Sequence, residues 1–258
     1  MNENVLVHFS KEETVFVKKI LSYKKQSEAG ERFVLTAFLD PREQDIVKMI
    51  FGKNDQFKYD FDGFVDTSER KRCFIYPSFY ELNKDDYNLV CYSFKFNPKY
   101  FKVSHPKVLG KLLSMGINKE HIGDIYVLED TVYFIVSKSI SSYIENELSQ
   151  LGKLKISLKV ETDIKLTFKS ENSTRILHSK SNRLDALVSA ISKKSRNISK
   201  ELILSKAIKI NHKVVTNISE TIKNGDLISI RKFGRVNLID IKEKRNKKGY
   251  IVEIGSET

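Results

Sequence analysis

The sequence predicts an α+β protein in three parts. A small N-terminal α/β segment covers residues 1–80, a central ferredoxin-like βαββαβ domain of RRM-like topology covers 81–170, and a basic α+β domain covers 181–258. Three observations predict it. Hydrophobic residues make up 40 % and aromatics 10 % of 258 residues, enough for several small cores. Stretches with helical apolar spacing interleave with stretches of alternating spacing. The net charge of +12 is unevenly divided: residues 175–258 hold 19 Lys and Arg against 8 Asp and Glu, net +11, leaving 26 against 25 for residues 1–174. A nearly neutral body thus carries a cationic module, the pattern of a chain that binds a polyanion.

In the first part, KEETVFVKKILSYKKQSEAG reads as an amphipathic helix with Val15, Ile20 and Leu21 as core candidates and Gly30 as its stop. RFVLTAFLD reads as a strand. Asp40-Pro41 then opens a helix, PREQDIVKMIFG, with capping and first-turn chemistry in place. A polar Asp- and Lys-rich stretch follows, and SERKRCFIYP closes the part as a short strand.

In the second part, YNLVCYSFKFN is a strand and HPKVLGKLLSMG a helix. DIYVLEDTVYFIVSK is a pair of strands around Leu128-Glu129-Asp130, SISSYIENELSQLG a helix, and LKISLKVE a strand. The order β-α-β-β-α-β is the split βαβ arrangement. No RNP1-type run accompanies it, so the topology alone assigns no function. KSENSTRILHSKSN reads as a polar linker. Beyond it, Leu184, Leu187, Val188 and Ile191 form the buried stripe of a helix beginning near Asn182, and a second helix runs from Arg196 to Ser205 with Ser195 as cap. AIKINHKVV and LISIRKFGRVNLIDI read as strands about the turn Asn224-Gly225-Asp226, and the tail adds a hairpin around Lys248-Gly249.

Several classes of function are disfavoured. No run approaches the roughly 20 apolar residues of a membrane helix, and the start, MNENVLVHFSKEETVF, lacks the form of a signal peptide. Cys73 and Cys91 lack CxxC spacing, which fits a reducing cytoplasm and argues against a disulfide framework or zinc site. His8, His105, His121, His178 and His212 show no metal-ligand spacing, and there is no Walker loop or GxGxxG. Ile122-Gly123-Asp124 reads as a helix stop. The expectation is a cytoplasmic non-enzyme with no catalytic residues, metal, cofactor or small-molecule substrate.

The basic residues carry the functional reading. In NRLDALVSAISKKSR, one acid stands against four bases. Asp185 reads as part of the helix start, bonding back toward Asn182. Arg183, Lys193, Lys194, Arg196 and Lys200 read as a phosphate-contacting helical side, with Arg183 and Arg196 as surface groups whose charge reversal would leave the fold intact. In the strand IKINHKVV, Ile208, Ile210 and Val214 face the core while Lys209, Asn211 and Lys213 project together; Arg231, Lys232 and Arg235 extend that face, and Gly234 bends the strand. Arg70, Lys71 and Arg72 form a candidate second basic patch.

The pattern RLDALVSAISKKSRNISKELILSKAIKINHKVV, followed by IKNGDLISIRKFGR, resembles the alpha-L RNA-binding domain named after the fourth protein of the small ribosomal subunit. It departs from that pattern at Lys206, where a Gly is usual, and at His212, where a Trp is common. TAFLDPREQ, SERKR and LGKLLSMGINKEHIGDI extend the likeness over most of the chain to the bacterial YlmH-type RNA-binding proteins; His105-Pro106-Lys107 replaces the usual His-Arg-Asp. The resemblance implies a cytoplasmic protein that binds ribosomal RNA of the large subunit, with tRNA as a further partner, in rescue of stalled nascent chains. The alternative is a cell-division- or membrane-associated adaptor whose basic domain binds anionic lipid or an acidic partner. An RNA-modifying enzyme is a third reading. Pseudouridine synthases that carry such modules use a separate Arg-Leu-Asp, and this chain has no second one.

Overall fold

The computed structural model describes residues 9–28, 33–52, 56–162, 164, 174–244 and 249–257; the expected helix stop at Gly30, and the residues His8 and Lys248, lie outside them. The chain divides into two compact units, Met1–Leu166 and Thr167–Thr258, so the first two expected parts share one unit.

The first unit opens with α1 (Thr14–Glu28), β1 (Val34–Leu39), α2 (Pro41–Phe51), β2 (Phe57–Asp62) and β3 (Lys71–Pro77). The strands form an antiparallel sheet in the order β1-β3-β2. Val17, Ile20, Ile46, Val47, Cys73 and Ile75 form the core between helices and sheet. Val15 is instead 79 % exposed; five positions before Ile20, it points about 140° away at about 100° per residue. Asp40 caps α2 as the sequence indicates: its Oδ1 accepts the Glu43 amide at 2.9 Å while the Glu43 carboxylate accepts the Asp40 amide at 2.8 Å. A capping residue of this kind contributes about 1 kcal/mol. The stretch read as merely polar contains β2, where Phe57, Tyr59 and Phe61 point into the core and Lys58, Asp60 and Asp62 point away.

The same unit continues with β4 (Leu89–Lys95), α3 (His105–Ser114), β5 (Ile122–Leu128), β6 (Thr131–Ser137), α4 (Ser141–Glu147), the short hairpin β7 (Gln150–Leu151) and β8 (Leu154–Lys155), and β9 (Lys159–Glu161). The sheet order β5-β6-β4-β9, with antiparallel neighbours, is the split βαβ arrangement. The last expected strand, LKISLKVE, is interrupted between Lys155 and Lys159: Leu154–Lys155 pairs back onto Gln150–Leu151 across the turn at Gly152 (φ 61°), and only Lys159–Glu161 joins the sheet. Ile122-Gly123-Asp124, expected as a helix stop, lies in β5. Tyr92, Phe94, Phe134, Val108, Leu112 and Ile144 fill one side of this sheet, under α3 and α4. On the other side Cys91 and Ile135 pack with Phe38 and Val65 of the first segment. A β-carbon on Gly123 would lie 2.7 Å from the Phe38 ring, which is why this approach requires glycine. The sheet face on which RNA-recognition motifs stack bases is therefore partly covered here by the chain's own N-terminal segment. Both cysteines are buried free thiols, and burial raises the Cys91 thiol to about 12.

Among the described residues the second unit holds one sheet in the order β10-β15-β14-β13-β11-β12 and two helices. Its elements are β10 (Thr174–Ser179), α5 (Leu184–Ser192), α6 (Arg196–Leu204), β11 (Ile208–Ile210), β12 (Lys213–Val214), β13 (Leu227–Ile230), β14 (Gly234–Glu243) and β15 (Tyr250–Glu257). Leu184, Leu187, Val188 and Ile203 of the helices meet Ile208, Ile228, Leu238 and Val252 of the sheet. The expected linker supplies β10, which pairs with β15 from Thr174↔Gly255 to Ser179↔Tyr250. Its partner lies more than seventy residues away, so no local pattern announces it. AIKINHKVV is not one strand. Asn211 (φ 47°) and His212 (φ 66°) both take left-handed backbone angles and fold it into the β11–β12 hairpin. Gly234 (φ 107°) completes the β13–β14 turn rather than bending a continuous strand.

A two-residue hairpin turn with both φ positive suits Asn at its first position and Gly at its second. His212→Gly should raise the stability of the second unit by roughly 0.5–1 kcal/mol, the left-handed penalty less the backbone entropy of glycine. A thermal scan of the full chain checks this; a lowered midpoint would contradict the turn geometry.

Candidate nucleic-acid interface

The interface candidate is built around Asp185. The first amides of α5 already have backbone partners: Leu184 N donates to Glu220 O at 2.8 Å and Asp185 N to Ile218 O at 3.3 Å. Arg183, the residue at the helix boundary, makes no side-chain cap. The Asp185 side chain is thus not the expected capping group. It is 0 % exposed and accepts Arg183 Nε at 3.2 Å on one oxygen and Arg196 Nη2 at 2.6 Å on the other. Burial by itself would raise its pKa, but the hydrogen bonds from Arg196 and Arg183 outweigh it and hold the carboxyl below its ordinary value.

Arg183 and Arg196 remain 42 % and 48 % exposed. Each guanidinium has five N–H donors, so one face can serve the carboxylate while other donors reach outward. This corrects the expectation that both are surface groups indifferent to the fold: reversing their charges would leave Asp185 buried among like charges. Asp185 also fixes the packing of α5 against α6, since Arg196 opens α6 with Ser195 as its cap, accepting the Ile198 amide at 3.3 Å.

The lysines of the helical side are exposed. Lys193 ends α5 in the left-handed region (φ 54°), and the Lys194 carbonyl accepts the Ser189 hydroxyl at 2.6 Å, tightening the turn into α6. Lys200 lies one turn beyond Arg196, on the same side of α6.

The strand side is less uniform than expected. The pairings Lys209↔Ser229 and Ser229↔Arg235 place Lys209 and Arg235 in one row, two strand spacings or about 10 Å apart. Lys213 is exposed on β12. Asn211 does not join them: it sits in the turn, where Nδ2 donates to Asp226 at 2.8 Å and Oδ1 accepts the Leu227 amide at 2.9 Å. It is a positioning group for the hairpin. Arg231 and Lys232 are exposed in the β13–β14 turn, where the Arg231 amide bonds to Ala207 O at 2.9 Å, beyond the C-terminal end of α6. The nine residues of α6, about 13 Å long, stand between that end and the Arg183–Arg196 pair. Lys206, marked in the sequence as a departure from the alpha-L pattern and not as part of the basic face, is exposed and adopts φ 58° where that pattern has glycine.

The candidate patch at Arg70–Arg72 is overturned as a set of free cations. Arg70 donates to the carbonyls of Ile122 (2.9 Å), Phe38 (3.1 Å) and Lys119 (3.2 Å). Arg72 donates to Thr36 (2.8 Å), Tyr87 (2.9 Å) and Asn88 (3.2 Å), and burial lowers its pKa to about 10. Both tie segments of the unit together, and Lys71 between them is half-buried. Asp124 is their counterpart: its carboxylate takes the amides of Glu69 (2.6 Å) and Arg70 (3.3 Å). Among the described residues no helix is long and apolar enough to cross a membrane.

The family model "Putative RNA-binding domain in YlmH" matches residues 83–165, and the "S4 domain" model matches residues 182–228. "Ribosome-associated protein quality control protein P2" of Bacillus subtilis is 33 % identical over 253 residues, covering 95 % of each chain. The chain belongs to the YlmH family. The solved structure of "Cell division protein ylmH from Streptococcus pneumoniae" is 25 % identical, superposes with a TM-score of 0.52, and covers 60 % of this chain and 94 % of that one. In this YlmH-family chain the S4 match spans α5, α6, β11 and β12, the elements that carry Asp185 and its arginines.

Because the folded pKa of Asp185 is depressed, its contribution is present above its unfolded value, near 4, and is lost as pH falls through the folded one. Asp185→Asn should destabilise the second unit by about 2 kcal/mol at pH 7, the low side for a buried pair because both guanidinium groups reach water. The difference from wild type should shrink below about pH 4. Urea unfolding at pH 7 and pH 3.5 measures both; a pH-independent difference would remove the ion-pair account.

Proposed function

We propose that the C-terminal module holds structured RNA on the large ribosomal subunit, and that the protein works in the cytoplasm, without catalysis, in the handling of stalled nascent chains. The observation that carries this reading is the buried carboxylate of Asp185 holding two half-exposed arginines at the α5–α6 junction, with Lys193, Lys194 and Lys200 exposed beside them. Pinned guanidinium groups lose less side-chain freedom on meeting phosphate than free ones do, and the lysines add charge that does not depend on exact placement. Lys209 and Arg235 add phosphate contacts from the strand side, with Lys213, Arg231 and Lys232 exposed nearby along β12 and the β13–β14 turn. Such a surface reads RNA by backbone and shape. The printed name of the Bacillus subtilis relative supports the ribosomal setting. The tRNA of a stalled complex is the second RNA we assign to this surface.

The non-enzymatic reading is supported by the state of the only Arg-Leu-Asp in the chain: Asp185 is buried and engaged by two cations, and has no access to a substrate. The division-site adaptor is kept as a second reading because the pneumococcal relative is described as a cell division protein. Against a lipid surface, the large exposed apolar residues of α5 and α6 are Ile198 and Leu204, not the broad aromatic face of an interfacial helix.

The test is sedimentation of cell lysate through sucrose at low and raised salt. Wild-type protein should travel with large subunits and leave them as salt rises. Lys193→Glu/Lys194→Glu/Lys200→Glu should abolish comigration with the circular dichroism spectrum unchanged, since all three side chains face water. Comigration equal to wild type would refute the site; absence of comigration for wild type at low salt, with binding to anionic liposomes, would favour the adaptor.

A further inference from the structure

The near-neutrality of the first unit conceals a segregation of charge. Residues 87–119 contain six lysines and one histidine but no Asp or Glu, and residues 148–160 contain three lysines and no acid. Glu120 and Glu147 are exposed at the borders of these two stretches, while three other acids of the central domain are engaged in contacts of the fold. Asp124 holds the Glu69 amide, Glu145 accepts the Tyr92 hydroxyl at 2.6 Å, and Glu161 takes Ser93 at 2.6 Å and Lys159 at 3.0 Å. Glu129 and Asp130 bound the lysine-rich region at its β4 end, where the Asp130 carbonyl accepts the Phe96 amide at 2.8 Å.

The fold gathers the two acid-free stretches. Lys107 and Lys111 lie one turn apart on α3. The Lys107 ammonium donates to the Lys102 carbonyl at 2.5 Å, which brings the 97–104 loop over the start of the helix. Lys111 lines a shallow crevice with Leu148, Leu151 and Ile156, so the β7–β8 hairpin bearing Lys153 and Lys155 flanks the same helix. In the middle of the loop stands Tyr100, 79 % exposed, in a turn closed by the Tyr100 and Phe101 amides on Asn97 O at 3.1 and 3.0 Å. An aromatic ring held out of any core on an ordered turn, within a field of lysines, has the composition of a single-strand RNA contact. In contacts of that kind an aromatic ring stacks on an unpaired base while ammonium groups meet the adjoining phosphates.

We propose that Tyr100, Lys99, Lys102, Lys107 and Lys111, with the β7–β8 hairpin, form a second RNA-binding surface that takes an unpaired stretch of RNA, separate from the Asp185-centred surface. This rests on the RNA-binding reading above. It also places the site away from the sheet face that Phe38 and Val65 cover, so the domain would bind RNA from its helical side despite its RRM-like topology.

The experiment uses the full chain and a fluorescein-labelled RNA hairpin with a single-stranded flank, titrated at two salt concentrations. Lys107→Glu/Lys111→Glu should weaken binding at least tenfold and lower the slope of log affinity against log salt by about 2. Tyr100→Ala should weaken it about tenfold with the slope unchanged. Ultraviolet crosslinking should give a nucleotide adduct on the peptide containing Tyr100. If the α3 substitution perturbs folding, Lys107→Gln/Lys111→Gln should still lower the slope. Wild-type affinity and slope in all central variants, with loss of binding in Lys193→Glu/Lys194→Glu/Lys200→Glu, overturns this inference and leaves the module's function standing. No RNA binding by the wild-type chain overturns both. Unchanged RNA affinity with loss of binding to polyglutamate would reassign the surface to an acidic protein.

Discussion

A carboxylate removed from water must be answered by positive charge, and in this protein that requirement organises the second unit. Asp185 sits in the first turn of α5 and receives Arg183 from its own end and Arg196 from the next helix. Two sequence-distant cations are thereby brought to one point, the angle between α5 and α6 is tied to that point, and the outward donors of both arginines acquire defined directions. The arginines serve the fold and the surface at once, whereas the surrounding lysines serve the surface alone. Loss of binding on substituting an arginine would therefore report two effects, and on substituting Lys193, Lys194 or Lys200 only one.

The first unit shows the converse use of the same residue type. Arg70 and Arg72 each satisfy three main-chain carbonyls, joining β1, β3 and the approach to β5. A planar fork with fixed N–H directions suits that work better than an ammonium group on a flexible stem. The covered sheet face follows the same principle: a four-stranded sheet with the order of an RNA-recognition motif carries Phe38 and Val65 where bases would stack. Shared topology does not imply a shared binding face.

Much of the fold was legible because its determinants are local. The α2 cap, the βαββαβ order, Ser195 at the head of α6 and the stripe Leu184–Leu187–Val188–Ile191 are all written in neighbouring residues. What was not legible depends on distant partners or on backbone angles. β10 lies in a polar stretch and exists because β15 pairs with it. The β11–β12 turn rests on two left-handed residues, neither of them glycine. At the candidate interface the cationic residue types could be read from the sequence. Their division into pinned arginines, exposed lysines and a turn-forming Asn211 could not, because it depends on where Asp185 points and on the contacts of Asn211 with Asp226 and Leu227 across the sheet. The Arg-Leu-Asp and Ser-Arg spacing was the available signal for that clamp, and only the folded geometry shows that its two ends meet.

Three turns of the second unit hold lysine in the left-handed region: Lys193 (φ 54°), Lys206 (φ 58°) and Lys232 (φ 71°). An L-residue there carries about 1–2 kcal/mol of backbone strain that glycine would avoid. At each of these turns a cationic tip is kept where the backbone alone would favour a residue with no side chain. Backbone stability and charge are in opposition at these three positions, so a version of this module selected only for heat resistance would drift toward glycine at its turns and lose the cations that crown them.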